Sequence, residues 1–201
     1  KNNQELDQKK SNNNEKSKKL ATISERAIVF GVSKLNWCGD NVTISTTSNF
    51  DDVKRGVDEV MQIGSGDSVE SLGLGIDVTY RGLLSESYRN KFTKLLQSIY
   101  DGYSCEIKYF KNQQGEMMPE FSVPKIVLYV DFEKVKDLVR MVNNIDNPEA
   151  LEQFKESPQK FSIINQVITI CDLLGDFAET CHNDVSVQYH NVAAVMKEMV
   201  N

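Results

Sequence analysis

The chain has 201 residues, 40% hydrophobic and 26% charged, with a formal net charge of −6. This suits one globular domain, or a domain with an appended helical part, and is long enough for a core without staples. The acidic balance argues against broad nucleic-acid binding through net charge and leaves room for a locally basic groove. No apolar run approaches the roughly 20 residues of a membrane helix, so no membrane contact is expected, and no secretory signal is visible. Cys38, Cys105, Cys171 and Cys181 are scattered without a C-x-x-C pair. They read as free thiols of a cytoplasmic protein and not as a disulfide framework or a structural zinc site.

Residues 1–19 are Lys, Asn, Gln, Glu and Ser with almost nothing to bury, and are expected to form a disordered or loosely helical polar tail. From Leu20 to about Leu35 apolar residues cover a broad helical arc, with Thr22, Arg26 and Ser33 as the polar stripe and Glu25 at the edge of the arc. Three strands are predicted next: Asn41–Ser48, Val57–Ile63 and Ser71–Tyr80, the last two joined by a GSGD hairpin connection. FDDVKRG before the second strand reads as a turn. A helix is predicted over Ser85–Asp101 with Gly102 at its C-terminal cap. Strands follow at Ser104–Phe110 and Lys125–Asp131, the second apolar enough to be buried on both faces. Helices are expected at Phe132–Asn144, Phe161–Cys181 and Val185–Val200. The domain reading is a tail to residue 19, an α/β core over 20–146, and a helical extension over 147–201 that packs on the core or on a partner.

The stretch GLGIDVTY, Gly73 to Tyr80, carries an acid in the middle of a good strand, where Asp is disfavoured. Side chains alternate across a strand. Leu72, Leu74, Ile76, Val78 and Tyr80 share one face, and Gly73, Gly75, Asp77 and Thr79 the other. The plain reading is a polar face meeting water. The functional reading is a carboxylate above a bare patch of sheet, with the glycines leaving room for a sugar-phosphate backbone. Asp58 groups with Val60 and Gln62 on its own strand, so both acids leave the more hydrophobic face. Asp58 also has a bland reading, closing a turn after Gly56 as Asp51 and Asp52 are expected to do. His182 and His190 are the only histidines. A His-based triad is therefore not expected, and the CHND segment is expected at the surface.

Helix, three strands, helix, strand, with Asp58 in VDEV and Asp77 in IDVT, resembles the core of the PD-(D/E)XK nuclease superfamily over Leu20–Asp131. The resemblance implies a restriction-endonuclease-like αβββαβ core with a mixed central sheet and, here, extra C-terminal helices. It implies Asp58 and Asp77 as ligands of Mg²⁺ or Mn²⁺, Glu25 as the helix acid many members add, and cleavage of nucleic-acid phosphodiesters. Hard oxygen ligands and such a cation suit that chemistry on physical grounds also.

The family's Lys two residues after the third-strand acid is Thr79 here, and an uncharged hydroxyl cannot replace an ammonium. Lys91 on the following helix is the candidate for a displaced catalytic lysine, with Lys108 in EIKY as the second candidate. The alternatives are a catalytically inactive module of the same fold binding nucleic acid or protein, and an assembly protein whose C-terminal helices bury against a partner or a second copy.

Overall fold

The computed structural model describes residues 2–64, 72–80, 85–111, 115–130 and 132–199. It opens with one long helix, α1 (Asn2–Leu35). Of the two states expected for it, disordered or loosely helical, the segment through Lys19 takes the helical one from Asn2 onward. It contains neither proline nor glycine, and its many Lys, Gln and Glu residues lose little rotamer freedom in a helix. The amphipathic turns after Leu20 supply the nucleus, and propagation is easier than nucleation. Ala27, Ile28 and Val32 of those turns are completely buried.

Six strands follow: β1 (Val42–Thr46), β2 (Glu59–Ile63), β3 (Leu72–Thr79), β4 (Cys105–Ile107), β5 (Phe121–Val123) and β6 (Lys125–Tyr129), with helix α2 (Glu86–Tyr100) between β3 and β4. The main sheet has the order β1-β2-β3-β6. Its first three strands are antiparallel neighbours, and β6 runs parallel to β3, with Asp77 opposite Val127. A parallel neighbour requires a crossover, and α2 lies on that connection. Ser85 caps α2, its hydroxyl accepting from the Tyr88 amide at 3.2 Å, and Gly102 beyond the helix adopts φ +82°. The hairpin connection expected around GSGD falls largely within residues 65–71, outside the described residues.

Two expectations change. The predicted strand Ser104–Phe110 shrinks to β4 and leaves the main sheet, pairing instead with β5 in a separate two-stranded ladder. The apolar β6 takes the place beside β3, as a strand with two buried faces should. The glycine face of β3 is also not open. A Cβ on Gly73 would lie 2.6 Å from Cγ1 of Val123, and one on Gly75 would lie 3.4 Å from both Val123 and Val57. Val57, Val60, Ile107, Phe110 and Val123 form a small second core there. The bare patch therefore receives the β4–β5 hairpin and leaves no room for a phosphate backbone.

Asp51 ties that hairpin down. FDDVKR forms a short π-helical turn (Asp51–Arg55) that Gly56 ends at φ +64°. The completely buried Asp51 carboxylate accepts from the Ser48 hydroxyl (2.7 Å) and from the amides of Lys108 and Tyr109 (both 3.0 Å). Asp51 thus does more than close a local turn.

The C-terminal part is helical: α3 (Phe132–Asn143), α4 (Pro148–Lys155), α5 (Pro158–Thr180) and α6 (Val185–Glu198). The sequence reading missed α4, although Pro148 at its first turn and Asn147 as its cap are ordinary start signals. Phe154, Val167, Leu174, Val192 and Met196 lie in the same core as Met61, Leu74, Ile76 and Leu128. The helices beyond residue 147 accordingly pack on the sheet. Pro148–Thr180 includes a window long and apolar enough, by composition, to cross a membrane, which the sequence reading did not count. Ile163, Ile164, Val167, Cys171 and Leu174 of that stretch are buried inside the protein.

Candidate functional site

The acids converge where β2 stops pairing with β3. The last register pair is Glu59 opposite Ile76. One residue earlier the Asp58 amide donates to the Ile76 carbonyl (2.9 Å), and Asp58 Oδ2 accepts from the Val78 amide at 2.6 Å. A side-chain carboxylate thus continues the ladder in the plane of the sheet, giving the Val78 N–H a partner. Asp58 consequently lies outside the strand expected from Val57. Val57 and Val60 pack in the same small core, so simple alternation fails across these residues and the face expected for Asp58 does not hold.

Asp77 is 4% exposed and projects from the face of β3 opposite Ile76 and Val78. Its two oxygens meet two ammonium groups. Lys91 of α2 pairs with Oδ1. Lys125, at the head of β6, lies 3.4 Å from Oδ2 and also donates to the Arg55 carbonyl at 3.2 Å. Gly56 closes the floor: a Cβ there would stand 3.1 Å from Lys125 Nζ and 3.6 Å from Asp77 Oδ2. The two lysines come from a helix and from a strand, so two cations stand on Asp77 although position 79 is a threonine. Thr79 itself is buried, and its carbonyl accepts from the Val130 amide at 2.8 Å.

Asp77 and the lysines open into a cleft of about 650 Å³ between the π-helical turn, α2, β4 and α6. Lys54, Arg55, Lys91, Lys94 and Lys125 line it against only Asp77 and Glu106 as acids. A chain of net charge −6 has therefore gathered cations around one groove. Arg55 is paired with Glu106 at 2.7 Å. Lys108 is not among the residues lining the cleft; its ammonium stands 5.8 Å from the Tyr109 ring centroid.

Behind this basic cleft the carboxylates are crowded. Burial, and then the charge of Asp77, push the Asp58 carboxyl up to about 7, although the Val78 amide opposes this. Glu59 is raised well above its ordinary range by burial and then by Asp58. Glu25 is raised by burial and then by Asp52, with Lys91 pulling the other way and Asp77 adding to the rise. Glu59 is 1% exposed, and its Oε2 has no hydrogen-bond partner. With Glu25, Arg26 and Phe30 it lines a second cavity of about 770 Å³ against α1. Burial thus biases these carboxyls toward their protonated forms, and a hard divalent cation is the kind of ligand that would reverse that bias.

Glu25, Asp58 and Asp77 nevertheless do not form a tight ligand triad. Among the described residues, one such group brings its ligand atoms within 4.8 Å of one another: Asp176, Glu179 and His190 on the C-terminal helices. Both acids of that group are exposed. The lysines on Asp77 and the Val78 amide on Asp58 occupy oxygens that a shared ion would need.

Sequence reasoning missed Lys125, Gly56 and Glu59. A signal was present for Lys125, a single charge opening the apolar run KIVLYV. Glu59 was masked by its neighbour Asp58. Comparison of the chain with protein-family models, with curated proteins and with solved structures gives no match.

Proposed function

We propose that this protein is a divalent-metal-dependent, nuclease-like phosphodiesterase of the PD-(D/E)XK type, acting on nucleic-acid phosphodiesters. The observation that carries the reading is Lys91 on Asp77: a helix-borne ammonium stands against the third-strand acid although position 79 is a threonine. The mixed sheet supports the reading in part: three antiparallel strands are followed by α2, the separate β4–β5 pair and then β6 parallel to β3.

Hydrolysis adds a water oxygen to phosphorus, breaks the P–O ester bond and leaves the departing oxygen to take a proton. Mg²⁺ or Mn²⁺, which when bound polarises the phosphoryl group and acidifies water, would be held by Asp58 and Asp77 with Glu25 beside them, in place of the lysine ammoniums and the Val78 amide now on those oxygens. Lys91 places positive charge where the phosphoryl oxygens become more anionic, in a partly water-excluded cleft that strengthens the interaction. Lys125 and the cleft rim hold the entering phosphate by charge.

The test is incubation of labelled DNA and RNA with millimolar Mn²⁺ or Mg²⁺. Cleavage should fall at least 100-fold in Asp77→Asn and in Lys91→Met, both of which should keep a cooperative unfolding transition. Metal should also raise the unfolding midpoint of the parent by an amount set by its affinity, about 2.7 kcal/mol at 100 times the dissociation constant. No cleavage above the Asp77→Asn background, together with no metal-induced shift, would overturn the reading. One observation favours a second reading, a non-cleaving binding module: both oxygens of Asp77 are already held by lysines. That reading expects oligonucleotide binding without metal-dependent cutting.

A further inference from the structure

We infer that the cleft takes an unpaired nucleic-acid strand, with phosphates on Lys54 and Lys94 and a base stacked on Tyr103. The inference rests on the phosphodiesterase reading for the kind of ligand and adds which form of nucleic acid enters. Three observations carry it.

The first is depth. Asp77 is 4% exposed and the Lys125 side chain 17% exposed, so a phosphate reaches them only by sinking between the walls. A cleft of about 650 Å³ falls in the size range of small-ligand sites, about 300–1,000 Å³. It accommodates a nucleotide or two and not the body of a duplex.

The second is Tyr103. It lines the cleft and is 67% exposed, while its backbone is fixed: its amide donates to the Ser98 carbonyl at 2.9 Å, next to Gly102 at φ +82°. The ring is thus held out to solvent on a rigid turn. Such a platform stacks an unpaired base of any identity, whereas a duplex keeps the faces of its interior bases covered.

The third is charge. Lys91 and Lys125 are engaged by Asp77, and Arg55 by Glu106. Lys54 and Lys94 are exposed, on the π-helical turn and on α2, and make no ion pair among the described residues. They leave two cations on the rim for successive phosphates.

The test is fluorescence anisotropy in EDTA, which prevents cutting, with a 5′-labelled single strand of about 12 nucleotides as DNA and as RNA, and the same sequence as a blunt duplex. At about 0.1 M salt the single strands should bind at least 10-fold more tightly than the duplex. Tyr103→Ala should weaken single-strand binding by about 5- to 160-fold, the range of a lost stacked base, and leave the residual duplex binding unchanged. Tyr103→Phe should stay within about twofold of the parent. Lys54→Ala and Lys94→Ala should each reduce the slope of log affinity against log salt by about 0.7 on single strands. Duplex binding as tight as single-strand binding, or an unaffected Tyr103→Ala, would overturn the inference. Asp77-dependent cutting of duplex with no role for Tyr103 leaves the phosphodiesterase reading intact and removes this one. Tyr103-dependent single-strand binding without cutting does the reverse.

Discussion

Asp58 holds a hydrogen bond that the β ladder would otherwise supply and a proton that an ordinary aspartate would have lost. The two facts oppose each other energetically, because the amide favours the charged form while burial and Asp77 disfavour it. Its pKa of about 7 in the folded chain lies above the ordinary value of 3.8. The unfolded chain therefore releases this proton near pH 4 and the folded one near pH 7. Stability from this group is complete below pH 4, declines as pH rises between those values and is lost above about 7. Asp58→Asn keeps an acceptor for Val78 and removes the titration. Its unfolding midpoint should exceed that of the parent at pH 7.5 and match it at pH 4, which thermal unfolding across that range, without added metal, will show. A variant no more stable at pH 7.5 than at pH 4, relative to the parent, would contradict the assignment.

The β4–β5 hairpin decides what the glycines of β3 are for. Gly73 sits beneath Val123 at a distance that excludes a methyl group, so its small size serves packing between two layers of backbone and side chain. Gly73→Ala should destabilise the protein by about 1–3 kcal/mol, the usual range for overpacking. Val123→Ala makes room for the new methyl, so the double variant should be more stable than the sum of the single effects predicts, by at least 0.5 kcal/mol. Urea midpoints of the four proteins close the cycle. Strict additivity would mean that the hairpin does not rest on Gly73. The same hairpin carries Glu106 to Arg55 and places Cys105 and Glu106 on the cleft wall, so its position shapes the site as well as the sheet.

Across the whole molecule, the C-terminal helices brace the floor of the site. Tyr189 of α6 is 1% exposed, and its hydroxyl donates to the Lys125 carbonyl at 2.6 Å and accepts from the Lys125 amide at 3.2 Å. The Lys125 ammonium is the one beside Asp77 Oδ2. A helix more than 60 positions further along the chain thus fixes the backbone from which a site cation projects. Tyr189→Phe leaves both backbone groups short of a partner and should cost about 1–3 kcal/mol. Hydrogen exchange at the Lys125 amide should accelerate in this variant well before the amides of Met61 or Ile76 respond. Equal acceleration everywhere would point to global destabilisation alone.

Much of the fold was legible because it is local. Periods of 3.6 and 2 residues place β1 to β3, α2, β6 and α5 close to their observed bounds, and the end of α1 at Leu35; those elements carry Glu25, Asp77 and Lys91, with Asp58 one residue ahead of β2. What period alone cannot state is register and company. The fate of the glycine face depended on a three-residue strand, β5, too short to show a pattern, whose partner lies some 16 residues away across a loop. Lys125 joins Asp77 because β6 and not β4 lies beside β3, a choice made by which strand can bury both faces. The sequence by itself determined most of the longer elements and the acids on or beside them, since backbone geometry and side-chain alternation act over a few residues. The tertiary structure alone decided which cations meet those acids, which carboxyls are desolvated and where the cleft opens, since burial and charge are properties of everything that packs around a group.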